Sequence, residues 1–175
     1  TVIRNPNPDF YGNFFTRLAY KGITHDVNFN YSDGNDVYNY YRQQIESGSS
    51  FYNQTTAMLN RWTVDGQVTD IPAVAYGDPV GNSRFSDRWI EDGSYLRIKN
   101  LTLGYTFPKK WMQKAHFDNI RVYCNIQNLY TFTKYSGYDP EVGASTQDSS
   151  GYAYGVDNGR YRSPTTYSFG VSLTF

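Results

Sequence analysis

The sequence predicts an all-β chain: five antiparallel strands of membrane-crossing length that form part of a larger closed barrel. Three observations predict it. Apolar and polar residues alternate with a period of two through five segments. Each segment has a length near the roughly 9–11 residues with which a tilted strand crosses a bilayer. The connections run short, long, short, long, the pattern of an outer-membrane barrel with brief turns on one side and extended loops on the other.

In Asn13–Lys21, Phe14, Thr16, Leu18 and Tyr20 form one face while Arg17 and Lys21 lie on the other. A tight turn at Gly22–Ile23 leads into Thr24–Ser32, where Val27, Phe29 and Tyr31 alternate with Asp26, Asn28, Asn30 and Ser32. The long segment from Gly34 to Gly93 follows. Within it, Asp36–Ser47 reads as a short helix with a carboxylate near its start, where the helix dipole favours negative charge, and Phe51–Trp62 as a second. In Ser94–Phe107 the apolar residues change parity, from Leu96 and Ile98 to Leu101, Leu103, Tyr105 and Phe107. A bulge near Lys99–Asn100 reconciles the two halves, because one extra residue swaps the faces. Pro108 suits the first turn of a helix over Pro108–His116. Ile120, Val122, Cys124 and Ile126 then alternate with Arg121, Tyr123, Asn125 and Gln127. After a second long segment, Thr133 to Thr165, the residues Tyr167, Phe169, Val171, Leu173 and Phe175 alternate with Ser168, Gly170, Ser172 and Thr174.

Composition narrows the function. The 175 residues suit one domain, and 16 Lys+Arg balance 16 Asp+Glu, so there is no basic surplus for nucleic acid. Aromatics reach 18%, with 18 Tyr, 11 Phe and 3 Trp. A mean hydropathy of −0.65 and the lack of a long apolar run exclude a transmembrane helix, which needs about 20 apolar residues; alternating strands are not excluded. Cys124 stands alone, and His25 and His116 are far apart with no nucleophile beside them, so neither an enzyme nor a cofactor site is expected. Asp33, Asn35 and Asp36, or Asp139 and Glu141, carry oxygen ligands suited to calcium, but without the spacing of a dedicated loop. Turns favour the same residues, and no metal site is expected. The chain opens at Thr1 without Met, which reads as a processed product or a fragment.

Five strands leave two open edges, and each unsatisfied backbone group in hydrocarbon costs several kcal/mol. The smallest membrane barrels have about eight strands, so the rest of the wall is expected from a longer polypeptide or from further copies. With Phe175 on the periplasmic side, every long segment falls outside and every short one inside. Arg17, Asn28, Asn30, Arg121, Asn125 and Gln127 would then line the lumen, and their apolar neighbours would meet lipid. Tyr20, Tyr31, Tyr105, Phe107, Trp111, Tyr130, Phe132 and Tyr167 fall where strands should cross the membrane interfaces, which suit amphipathic rings. In the long segments Tyr41, Trp62, Tyr76, Trp89, Tyr138 and Tyr154 are candidates for contact with ligand or with a partner protein, and the partner role carries the greater weight.

The runs GSYLRIKNLTLGYTFPKKW (Gly93–Trp111), NIRVYCNIQNLYTFTKYSGYDPEVG (Asn119–Gly143) and TYSFGVSLTF (Thr166–Phe175) resemble the C-terminal end of SusC/RagA-type TonB-dependent transporters. FSDRWIEDGSY (Phe85–Tyr95) and FNYSDGNDVYNYYR (Phe29–Arg42) are similar to the same family. The resemblance implies the last five strands of a barrel of about 22 strands with a plugged lumen, in the outer membrane of a Gram-negative bacterium of the Bacteroidota, C-terminus periplasmic. It implies import of glycan or peptide oligomers, a SusD-like surface lipoprotein as lid, and energy from TonB–ExbB–ExbD through an N-terminal plug and TonB box outside residues 1–175. A dimer of the transporter–lid complex is a further implied partnership. The closing octet Ser168–Phe175 fits the barrel-assembly signal of this class, with Ser168, Gly170, Leu173 and Phe175 in its defined places. The alternative is a secreted carbohydrate-binding β-sandwich, which would bury the apolar faces of two sheets against each other.

Overall fold

The computed structural model describes residues 4–112, 117–142 and 154–175. The strands are β1 (Phe10–Tyr20), β2 (Ile23–Asp33), β3 (Asp36–Asn39), β4 (Ile90–Asp92), β5 (Tyr95–Thr106), β6 (Asn119–Thr133), β7 (Val156–Asp157) and β8 (Thr166–Thr174). Two helices, α1 (Tyr40–Glu46) and α2 (Lys109–Met112), and 3₁₀ turns at Thr56–Asn60 and Asp87–Trp89 complete the elements. His116 and the end of the helix expected over Pro108–His116 lie outside the described residues. The chain divides into two compact units.

The first unit is Pro8–Gly34, Gly93–Lys134 and Arg162–Phe175. It is one sheet of five strands in the order β1-β2-β5-β6-β8, every neighbouring pair antiparallel. All five expected strands are present. β1 and β2 pair from Phe10↔Asp33 to Tyr20↔Ile23, closed by Lys21 (φ 46°) and Gly22 (φ 86°). Two consecutive left-handed residues make the hairpin turn whose twist matches that of its strands. The turn is thus Lys21–Gly22, one residue earlier than expected, because Lys21 itself takes the positive φ and Ile23 is already paired. The bulge inferred from parity is present: Phe29 faces Ile98 while Asn28 faces Asn100, leaving Lys99 as the extra residue.

This sheet has two chemically distinct faces and a single layer. Phe14, Leu18 and Val171 are exposed, and Phe169 is 81% exposed; among the described residues of this face only the central Val27 is buried, at 7%. A sandwich would have covered these side chains, so that alternative is not met. Aromatic rings gather at both ends of the apolar face. Toward the short turns, Tyr105, Phe107 and Trp111 follow one another at centroid distances of 5.1 and 6.2 Å. Toward the long connections, Tyr130 and Phe132 lie edge to face at 4.7 Å.

The second unit is Thr1–Asn7, Asn35–Asp92 and Tyr135–Tyr161, so both long connections and the segment before β1 share one core. Its small sheet runs β4-β3-β7, with β3 antiparallel to β4 and parallel to β7. The helix expected from Asp36 begins later. Asp36–Asn39 is held extended by pairing on both sides, and the Asn39 side chain accepts the Arg42 N–H at 2.9 Å as the N-cap of α1. Of the helix expected over Phe51–Trp62, only the turn Thr56–Asn60 forms. The core holds Val37, Met58, Ile71, Trp89 and Tyr135. The acidic residues weighed as calcium ligands serve local structure: Asp36 accepts the Asn5 N–H at 3.2 Å, and Asp139 accepts the Glu141 N–H at 3.0 Å.

Candidate functional site

The six residues read as lumen-facing share the polar face of the five-stranded sheet. Arg17 opposes Asp26, Asn30 opposes Asn13, Asn28 lies across from Asn100 and hence Gln127, and Thr102 faces Asn125. Arg121 reaches across β5 to the Thr24 hydroxyl at 3.3 Å. Side-chain bonds tie the face together. Arg17 donates through Nε and Nη2 to the two Asp26 carboxylate oxygens at 2.7 and 2.8 Å. Asn13 Nδ2 donates to the amide oxygens of Asn28 and Asn30 at 2.6 and 2.7 Å, and Asn125 donates to Thr102 at 2.7 Å. Asp26, Asn28, Asn100, Thr102 and Gln127, with Phe15, line a shallow depression of about 350 Å³. Amides offer donors and acceptors at once, and the Asp26 carboxylate that lines the depression is paired with Arg17. Such a wall suits hydrated, uncharged polar matter.

The closing octet is split by face. Ser168 opposes Asn125 and Gly170 opposes Tyr123 on the polar side, while Leu173 opposes Ile120 on the apolar side. Phe175 packs against Phe117 at 5.6 Å. A Cβ at Gly170 would collide with the Tyr123 ring. The aromatic ring covers the glycine across the strand pair, a known device for stabilising glycine in sheets.

In the loop unit, a cavity of about 540 Å³ is lined by residues from α1 and from the second long connection, among them Tyr41, Arg42, Glu46, Ser136 and Tyr138. Arg42 holds it together, donating to Glu46 at 2.9 Å and to Glu91 at 3.0 Å. Glu91 also accepts the Ser136 N–H at 2.9 Å and its hydroxyl at 2.8 Å, and the Asn39 amide at 3.2 Å. Burial pushes the Glu91 carboxyl up, but the Ser136 and Arg42 bonds outweigh it and hold it below the ordinary carboxylate range. Burial lowers the Arg42 guanidinium, and its two carboxylates overcome that and raise it. Tyr135 donates to Asp157 at 2.6 Å; burial first, then that bond, drives its phenol far above its usual range. Asp157 in turn accepts the Gly159 and Arg160 N–H groups, each at 2.9 Å.

Of the six aromatic contact candidates, Tyr41 and Tyr138 come together, 6.0 Å apart across the cavity wall. Tyr76 is exposed and stacks on Phe51 at 5.1 Å. Trp62 and Tyr154 are also exposed. Trp89 is a correction: at 0% exposure it lies in the loop core and is not presented at the surface as a contact residue would be. Its indole donates to the Arg84 carbonyl at 3.2 Å, and the guanidinium of Arg88 covers its ring at 4.5 Å. Arg42, Glu46, Glu91 and Ser136 were not singled out from the sequence. The spacing of Arg42 and Glu46, one helical turn apart, was the available signal.

No protein-family model matches the chain. It is 35% identical over 99% of its length to the TonB-dependent receptor P3 of Formosa agariphila, of which it covers 17%. It is 28% identical over 99% of its length to the TonB-dependent receptor SusC of Bacteroides thetaiotaomicron, of which it covers 16%. Among solved structures, the RagAB peptide importer in its closed-closed state superposes with a TM-score of 0.80 at 30% identity, covering 99% of this chain and 18% of that one. The chain thus spans less than a fifth of the proteins it matches. A single-layered antiparallel sheet with a polar and an apolar face, matched almost end to end in both sequence and coordinates, is a SusC/RagA-like segment of a TonB-dependent receptor.

Proposed function

We propose that the chain is the last five strands of an outer-membrane barrel of about 22 strands, working in TonB-dependent import of an oligomeric nutrient. One observation carries this reading: among the described residues, the five-stranded sheet leaves its apolar face uncovered and both its edges unpaired. In water such a sheet is unstable; in a bilayer its apolar face is solvated by lipid, and its edges are completed by the strands of a longer chain. The amide-rich face then lines the lumen, around a plug supplied by that longer chain. The two long connections emerge at the same end of the sheet, since β2 and β6 run in the same direction. In this reading that end is extracellular, the C-terminus is periplasmic, and exposed loop aromatics such as Tyr76 and Tyr154 meet a SusD-like lipoprotein lid. Energy comes from TonB–ExbB–ExbD through the plug, and glycan and peptide are the candidate cargo classes. Similarity to SusC and to the RagAB peptide importer supports the import role.

Cysteine labelling of the full-length receptor in cells tests the arrangement. Phe29→Cys should react only with lipid-soluble maleimides and Asn28→Cys with membrane-impermeant ones. The opposite pattern refutes the face assignment.

A further inference from the structure

Resting on that reading, we infer that the short-turn end of the apolar face holds one anionic glycerophospholipid, with an acyl chain laid over β2 and the phosphate between Lys21 and the lysines of α2. Strand pairing sets Tyr20, Ile23 and Tyr105 in one row across β1, β2 and β5. The two rings therefore stand two strand spacings apart, about 9.5 Å, and the shorter Ile23 between them is the floor of a slot. Leu18, His25 and Leu103 form the next row on the same face, about 7 Å deeper. The slot is open, with Tyr20 exposed and Ile23 at 54% exposure. In a bilayer such a slot is filled by hydrocarbon, while its flanking rings lie at the level of the headgroups.

Cations stand at the mouth of the slot. The Lys21 ammonium lies 5.1 Å from the Tyr20 ring. The Gly22 carbonyl accepts the Thr106 N–H at 2.8 Å, which brings the first turn against the start of the second. That second turn carries Lys109, Lys110 and Trp111, all exposed, with Trp111 6.2 Å from Phe107. Among the described residues none of these three lysines forms an ion pair. Asp26 is on the opposite face, bonded to Arg17 at 2.7 Å, and Asp118 lies toward β8, its N–H on the Thr174 carbonyl at 2.8 Å. A lysine beside an anionic lipid surface adds about fivefold in affinity, whereas the ammonium of a zwitterionic headgroup would meet three like charges. His25 is the second observation. It is a polar side chain within an apolar row, and its ring makes no hydrogen bond among the described residues. One row below the lysines, its N–H has the depth of the ester carbonyls that lie beneath a lipid phosphate and donates to them.

The test uses the full-length receptor, delipidated in mild detergent and titrated with dioleoylphosphatidylglycerol, dioleoylphosphatidylethanolamine or lipid A, with bound lipid counted by native mass spectrometry. The first phosphatidylglycerol should bind about fivefold or more tightly than either of the others. Lys21→Gln/Lys109→Gln/Lys110→Gln should weaken it by about tenfold or more, and Lys21→Arg/Lys109→Arg/Lys110→Arg should retain it. Lys134→Gln, exposed at the long-connection end of β6, should leave it unchanged. His25→Leu, which keeps the row apolar and removes only the donor, should weaken it measurably. Equal affinity for the three lipids, or preference for phosphatidylethanolamine or lipid A, overturns the inference without any variant. Phosphatidylglycerol binding unchanged in the glutamine variant overturns it too, and unchanged binding in His25→Leu overturns the part given to the imidazole. Failure of the membrane reading has a different signature: a receptor that stays folded and dispersed without detergent and retains none of the lipids.

Discussion

Placing an arginine at Ile126 tests the lipid-facing assignment most directly. Ile126 lies in a row across the sheet, opposite Leu101 on one side and Tyr167 on the other, with Val27 beyond Leu101. Along β6 it stands about 20 Å from Ile120 and about 14 Å from Tyr130 at roughly 3.4 Å per residue, which is near the middle of the apolar face. Arginine at the midplane of a membrane barrel costs about 2–4 kcal/mol, against about 0–1 kcal/mol near the interfaces. That is a loss of roughly 30- to 700-fold in the folding equilibrium. Its neighbour Gln127 is exposed on the opposite face beside the amide-lined depression, so Gln127→Arg should stay within about 0.5 kcal/mol of wild type. Ile120→Arg, at the turn end, should fall between them. The assay is urea unfolding of the full-length receptor in lipid vesicles, followed by heat-modifiable migration on gels. Equal losses at positions 126 and 127, or a larger loss at 127, would refute the two-faced membrane sheet.

Two further predictions concern packing and protonation. Gly170→Ala forces a Cβ into the Tyr123 ring, and overpacking of this kind costs about 1–3 kcal/mol; the loss should shrink when Tyr123→Ala is added, and additive denaturation midpoints would rule the contact out. Glu91 is held below its ordinary value, so its contribution to the loop unit is complete above the unfolded carboxylate range and fades as pH falls through the lower folded value. Near-ultraviolet circular dichroism of the receptor should therefore change in acid, and that step should be missing in Glu91→Gln.

The strands were legible because alternation is a local property that one face of a sheet imposes on every second residue. Even the bulge could be read, since Ile98 and Leu101 cannot share a face without an extra residue between them. What stayed hidden depends on residues far apart in the chain. The sequence Asp36–Asn39 carries a credible helix start, yet it is extended because β4 and β7 pair with it. The fusion of both long connections into one unit rests on contacts such as Asn39 to Ser136, separated by 97 positions. Trp89 was misjudged for the same reason. A tryptophan in a polar loop looks like a contact residue until the chain that buries it is folded around it.

Antiparallel pairing at each of the four seams returns β8 to the heading of β1. The two free margins of the sheet therefore point the same way. Bacterial single-chain membrane barrels are antiparallel throughout, so identical pieces laid margin to margin would break that pattern at every join. In the proposed barrel, whatever closes this wall therefore contributes an odd number of staves, and a ring of like fragments cannot do it.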